Sequence, residues 1–362
     1  MSRVVLKFGG SSVGDSNNYF DENHMIRIAN TIKKEKEKGN QVVVVISAMA
    51  GETRKLKQMS QNIDNRTNTA EDDIILSAGE QISAGLLCKL LNGEKFNLKS
   101  QAFMGWQLPI ITDDKFGGAK ITHIGTKELE ECLKNEIIPI VAGFQGITEE
   151  KRITTLGFDG SDTTAVAIAS YLKADCCYFY KDVRGVYTAN PRRVLKAKKI
   201  EEISLKEMYV LSSLGARILH PVSIKTAIDH DIDLRILPNF LDDENGTLIK
   251  HSDNKKEISG ITYFEHNPNE ITISVVGDSV SNNDGEKIIH ELNKNKIFAQ
   301  IVNTEFDDMS ITIEIGWIEQ LDTALSAIHK LFGLDNEDAK EKAFNGEGKQ
   351  IYRDPAIKTS KE

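Results

Sequence analysis

Proline is scarce, 7 residues in 362 against 26 glycines, which excludes Pro-rich linkers and repeats and favours tight backbone turns. Cysteine is scarce too. Cys88, Cys132, Cys176 and Cys177 show no metal-ligand spacing. Adjacent Cys176 and Cys177 lie in an apolar stretch that reads as a strand, so their side chains point to opposite faces. Buried or half-buried free thiols in a reducing cytoplasm are the expectation, not a secreted disulfide scaffold. No apolar run approaches the roughly 20 residues that cross a bilayer. The chain opens directly on Arg3-Val4-Val5-Leu6-Lys7, without the charged, apolar and small blocks of an export signal. Basic residues are in deficit: Lys and Arg number 45, Asp and Glu 54, for a net charge of -9. That excludes a general nucleic-acid binder, whose phosphate contacts need a basic face. A single nucleotide needs only a few local donors and stays open.

What is present is an ordinary globular composition, with 40 % hydrophobic and 27 % charged residues. At about 150 residues per domain the length predicts two domains. The first two thirds alternate strand and helix signals. Val4–Phe8, Val42–Ile46, Ile137–Ala142, Cys176–Tyr180 and Asp233–Pro238 read as strands. The continuous apolar run at Val42–Ile46 is what a strand buried on both faces of a parallel sheet requires. Helices are expected over about Asp21–Lys38, Glu71–Leu91 and Asp162–Leu172, and from Ser204 and Pro221. Residues 1–245 therefore read as an α/β domain, a mainly parallel sheet covered by helices on both faces. A polar cluster, Leu241-Asp242-Asp243-Glu244-Asn245-Gly246, marks the boundary. Residues 246–334 read as a small α+β module of βαββα order. Residues 335–362, charged and poor in apolar side chains, read as a mobile tail.

Six segments carry chemistry. Lys7-Phe8-Gly9-Gly10-Ser11-Ser12 ends a strand in two glycines, which let backbone N–H groups approach an anion beside a lysine charge. A plain tight turn is the alternative reading. Ser47-Ala48-Met49-Ala50-Gly51-Glu52-Thr53 follows a buried strand, where ligands bind in open α/β sheets. Glu80, in Ser77-Ala78-Gly79-Glu80-Gln81, interrupts an apolar helix. A carboxylate there needs a partner such as a substrate ammonium, unless it faces solvent. The densest signal is Thr154-Thr155-Leu156-Gly157-Phe158-Asp159-Gly160-Ser161-Asp162-Thr163-Thr164, just before an Ala-rich helix whose N-terminus favours negative charge. Tyr180–Arg192 is a turn-rich loop of cations and aromatics suited to a nucleotide. Leu214–Pro221 offers Arg217 as a phosphate clamp, with a structural role for His220.

In this order the six segments resemble the aspartate kinase family of amino-acid kinases. Its phrases are K-F-G-G-T/S-S-V, S-A-M-x-x-x-T, G-E-Q, T-L-G-R-G-G-S-D, T-D-V-D-G-V-Y-T-x-D-P-R and L-G-A-K-V-L-H-P. The resemblance covers roughly residues 1–240. Val275-Val276-Gly277 and the helix through Ala327–Phe332 resemble an ACT module, one unit where the family usually has two. The resemblance implies the amino-acid-kinase fold and transfer of the γ-phosphoryl of ATP, with Mg²⁺, to the side-chain carboxylate of L-aspartate. Lys7, Asp162 and Arg217 would be catalytic, with Asp162 orienting Lys7. Gly9, Gly10, Ser11, Lys181, Asp182, Tyr187 and Arg192 would hold the nucleotide. Ser47, Thr53, Glu80 and Ser161 would hold aspartate, with Glu80 on its ammonium. No metal site built of protein ligands is expected. A cytoplasmic homodimer is implied, with lysine or threonine as effector or a module that only dimerises; no nucleic acid or membrane partner is expected.

Several positions depart from the phrases. Phe158-Asp159 stands where Arg-Gly is usual, so a cation for a substrate carboxylate is missing; Arg54 and Arg152 are the candidate replacements. Lys181 stands for Thr, Arg184 and Asn190 for Asp, and Arg217 for Lys. Two other readings follow: a related kinase acting on another carboxylate or small acid, and a catalytically weak amino-acid-sensing subunit.

Overall fold

The computed structural model of the chain describes residues 2–14, 20–239, 245–252, 258–278, 280–306 and 308–335. All but the first residue of the expected tail, and most of the expected boundary cluster, lie outside them.

An eight-stranded sheet forms the body of the larger unit. Its strands are β1 (Arg3–Phe8), β2 (Gln41–Ile46), β3 (Ser100–Phe103), β4 (Ile138–Ala142), β5 (Cys176–Lys181), β6 (Glu202–Ser204), β7 (Asp233–Pro238) and β8 (Thr247–Lys250), in the order β6-β8-β7-β5-β1-β2-β4-β3. All pairings are parallel except β7 with β8. The central strands β1 and β2 are buried on both faces, so their unbroken Val, Leu and Ile runs have apolar partners on either side. Cys176 and Cys177 are both buried for the same reason.

Helices α1 (Glu22–Glu37), α2 (Glu52–Ile63), α3 (Ala70–Asn92), α4 (Gly160–Tyr171), α5 (Leu205–Ser213) and α6 (Pro221–His230) follow; all but α2, which packs on α3, cover the sheet. One apolar core joins α1 and α3 to one face, and a second joins α4, α5 and α6 to the other. By length and composition the 23-residue α3 could cross a bilayer, although its sequence holds no unbroken apolar run. Here it packs on the sheet, with Leu87 and Leu91 fully buried. A small second sheet, Ile110–Thr112, Ile121–Ile124, Gln145–Ile147 and Ile153–Thr155, was not legible in the sequence because its strands are only three or four residues long.

The smaller unit is a four-stranded antiparallel sheet, β9 (Gly260–Asn267), β10 (Glu270–Val276), β11 (Ala299–Val302) and β12 (Ser310–Ile315), in the order β9-β10-β12-β11. Helices α7 (Asn282–Lys294) and α8 (Leu321–Leu331) pack on its apolar side chains Ile271, Ile273, Ile313 and Ile315. The order is thus ββαββα, not the expected βαββα: β9 is an eight-residue antiparallel partner of β10. The two units are in contact. The Ser259 hydroxyl donates to the buried Glu207 carboxylate, Thr188 Oγ1 and His329 Nε2 are 2.9 Å apart, and Ile261 N donates to Thr188 O at 2.8 Å.

Candidate active site

Parallel strands deliver their carboxyl ends to one edge of the sheet, where β1 runs into Gly9-Gly10-Ser11, β2 into Ser47, and β5 ends at Lys181. At this edge lies a cavity of about 1120 Å³. Lys7, Gly9, Gly10 and Ser11 line it from β1, Ser47 and Thr53 from the loop after β2, and Glu80 from α3. Ser161 joins from α4, Lys181 and Asp182 from the end of β5, and Arg217 and His220 from the segment before α6.

Two of the expected nucleotide residues are not brought to this cavity. Tyr187 pairs with Lys199 in a two-residue strand, and Arg192 sits exposed in the turn beyond it. Ala189 and Val194, on either side of Arg192, are buried in the core of the small unit. The segment is therefore drawn toward that unit and away from the β-strand ends.

The floor of the cavity is ionic. In the β1–β5 register Lys7 faces Phe179, so Lys181, two residues on, projects from the same face of the sheet. Both lysines converge on Asp162 in the first turn of α4. Lys7 Nζ pairs with Oδ1, and Lys181 Nζ donates to Oδ2 at 2.7 Å. Asp162 is fully buried and Lys7 nearly so. Burial by itself would raise the Asp162 carboxyl, but the two lysines outweigh it and hold it below the usual carboxylate range. Burial pushes Lys7 below an ordinary lysine, with Asp162 opposing the shift.

Glu80 is placed by its helix. Asp73, two turns earlier on the same face of α3, is completely buried. Its carboxylate accepts from Gly117 N at 3.0 Å, Thr155 N at 2.7 Å and Thr155 Oγ1 at 2.6 Å, which pins α3 to the small sheet. A Thr69–Asp72 capping box fixes where the helix starts. At Gly79 a Cβ would stand 2.7 Å from Ala48 Cβ, so glycine is what lets the Ser47–Gly51 loop lie on the helix. Glu80 then faces the cavity at 3 % exposure, and its Oε2 has no hydrogen-bond partner. Burial raises its pKa to about 7, against the opposing influence of the Ala48 backbone and Lys7.

The motif with the departures occupies the rim. Asp159 holds a left-handed backbone (φ 51°), and Phe158 is 82 % exposed. Of the two candidate replacement cations, Arg54 lines the cavity, whereas the Arg152 guanidinium stacks 4.7 Å from the Phe116 ring outside it. His220 accepts from Val222 N through Nδ1 at 3.3 Å and so caps α6, the structural role expected of it. Asp73 and Lys57, both of which line the cavity, escaped the sequence reading. Asp73 sits in the acidic run Glu71-Asp72-Asp73, which looks like the ordinary first turn of a helix, and only the fold buries it.

A cavity with glycine turns, buried lysines on a shared carboxylate and a buried glutamate with one free oxygen defines a phosphotransferase whose small acceptor carries an ammonium group. The model of the Amino acid kinase family matches residues 2–238. An aspartokinase of Rickettsia felis is 40 % identical over 316 residues, covering 84 % of this chain and 77 % of the relative. An aspartokinase of Geobacillus stearothermophilus is 37 % identical over 341 residues, covering 92 % and 81 %. Among solved structures, the aspartate kinase from Synechocystis aligns at 31 % identity and TM-score 0.60, over 90 % of this chain and 54 % of that one. E. coli aspartokinase III in complex with aspartate and ADP aligns at TM-score 0.75 over 91 % of this chain and 99 % of that one, and at 20 % identity it shows the shared fold. The chain belongs to the amino acid kinase family and, within it, to the aspartokinases.

Proposed function

We propose that this cavity is where the γ-phosphoryl of ATP passes to the side-chain carboxylate of L-aspartate, giving 4-phospho-L-aspartate, the first step toward lysine, threonine, methionine and diaminopimelate. One observation carries the reading: a lysine-rich floor and a buried carboxylate with one oxygen unpartnered share a single cavity. The floor suits the transferring phosphoryl, and Glu80 suits the ammonium of an amino-acid acceptor. No covalent enzyme intermediate is needed; the chain positions two anions and stabilises the charge that spreads over the phosphoryl oxygens.

In this reading Lys7 and Arg217 meet phosphate oxygens and Asp162 orients Lys7. Gly9, Gly10 and Ser11 line the phosphate path, with Asp182 beside the nucleotide. Ser47, Thr53 and Ser161 hold the aspartate. Arg54 takes the role left open at Phe158 and pairs with an acceptor carboxylate. Among the described residues no group of three or more His, Cys, Asp or Glu side chains forms a metal site. Asp159 and Asp182 line the cavity and supply the oxygen donors a hard dication takes, so they would hold a nucleotide-borne Mg²⁺. Bound there, Mg²⁺ would neutralise phosphate charge.

The expected boundary at residue 245 moves, because β8 (Thr247–Lys250) pairs within the larger sheet; the kinase unit is taken as residues 1–250 and the regulatory module as 258–334. The module's edge strand β11 leaves Ile301 half exposed, and Phe298 just before it largely exposed, which supports a homodimer paired through this module; a cytoplasmic location is part of the same proposal. A lysine or threonine effector would bind the same module, and calorimetry with each amino acid tests that. For the activity itself, an ADP-release assay should show turnover with L-aspartate. Turnover with another acid and none with aspartate would overturn the substrate assignment.

A further inference from the structure

Two lysines on one carboxylate leave the cavity floor with an excess positive charge. Lys7 and Asp162 are almost completely buried, and the Lys181 side chain is only 18 % exposed. One carboxylate cannot neutralise both, and an unmatched charge in a dry wall calls for a mobile anion. Of the other carboxylates in the cavity, Glu80 is held toward its neutral form by burial, and Asp159 and Asp182 are solvent-exposed at the rim. The two ammonium groups are also held close together, because each takes a different oxygen of the same side chain. A single tetrahedral phosphoryl group can therefore meet both. The strand register explains why they converge: neighbouring parallel strands present Lys7 and Lys181 on one face, and the first turn of α4 brings Asp162 between them.

From this geometry we infer that Lys181 is a second phosphate-binding lysine, meeting the transferring γ-phosphoryl together with Lys7, and that Asp162 positions both. In the transfer, an oxygen of the acceptor carboxylate forms a bond to the γ-phosphorus while the bond to the β,γ-bridging oxygen breaks. The electron pair leaves with ADP and no proton changes place. Negative charge spreads over the three equatorial oxygens, and Lys7 and Lys181 stand on two sides of them. The inference rests on the kinase reading and goes beyond it by assigning Lys181 to the γ-phosphoryl group and not to the base, the ribose or the α- and β-phosphates.

The test compares the full chain with Lys181→Met and Lys181→Arg. Binding of ADP and of a non-hydrolysable ATP analogue is measured by calorimetry, and turnover at saturating ATP and aspartate. For Lys181→Met the affinity for the ATP analogue should fall about tenfold while that for ADP, which lacks the γ-phosphoryl, stays within twofold. The kcat should fall about 100-fold with the KM for aspartate within twofold, and Lys181→Arg should recover most of the rate. Equal losses for ADP and the analogue would overturn the assignment, as would no loss for either. A melting-temperature drop with unchanged kcat would show a merely structural lysine and overturn it too. If the unaltered chain itself neither binds the analogue nor turns over aspartate, it is the kinase reading that fails, a result distinct from the others.

Discussion

Glu80 gives the sharpest test of the acceptor site. Its carboxyl is buried, one oxygen is unpartnered, and burial moves it from an ordinary 4.5 to about 7. The sign follows directly. Between those two pH values the folded chain holds a proton that the unfolded chain has released, so stability falls as pH rises through this window and is level above it. At about 1.4 kcal/mol per pH unit, the span amounts to about 3 kcal/mol. Glu80→Gln removes the titrating group. The stability difference between the variant and the parent should therefore drift by about 3 kcal/mol in the variant's favour from pH 4.5 to pH 8. Denaturant melts at a series of pH values read this difference. Function should move the other way. The ammonium of aspartate needs Glu80 ionised, so the parent's KM for aspartate should rise about tenfold per pH unit below pH 7 and level off above it. In Glu80→Gln the lost charge-assisted contact should raise KM about 10- to 150-fold at pH 8 and flatten the pH dependence. A variant with the parental KM and the parental pH profile would refute the assignment of Glu80 to the substrate ammonium.

Arg54→Ala should raise the KM for aspartate about tenfold, the value of one charge-assisted hydrogen bond, while Arg152→Ala leaves it within twofold; the reverse pattern in steady-state kinetics would remove Arg54 from the acceptor site. Asp162→Asn strips the shared partner from two lysines and should cost about 3–5 kcal/mol of stability, with loss of detectable turnover; denaturant melts and the ADP-release assay read both effects. Gly79→Ala puts a methyl group against Ala48 and should cost about 1–3 kcal/mol and raise the KM for aspartate by displacing the Ser47–Gly51 loop; an unchanged melting midpoint would show that the loop is not held by this contact.

Much of the molecule was written in its local sequence. The continuous apolar runs at Val42–Ile46 and Cys176–Tyr180 read as buried strands, and the sheet places them so, with Tyr178 half-buried. Lys7, Glu80 and Ser161 were legible as candidates because each is a polar residue in a setting where packing gives no reason for one. The three- and four-residue strands of the small sheet were illegible, since so short a run has no period to detect. The burial of Asp73 was equally hidden, because its partners Gly117 and Thr155 are 44 and 82 residues away. Tertiary structure also separated residues that the sequence had grouped: Tyr187 and Arg192 follow Lys181 closely in the chain, yet they are drawn toward the small unit while Lys181 stays in the cavity. It chose between Arg54 and Arg152, which the sequence could not rank. Above all it joined Lys7, Asp162 and Lys181. Residue types and spacing set which elements form, because those depend on near neighbours. Which charges meet depends on strand order and register, and only the folded sheet sets those.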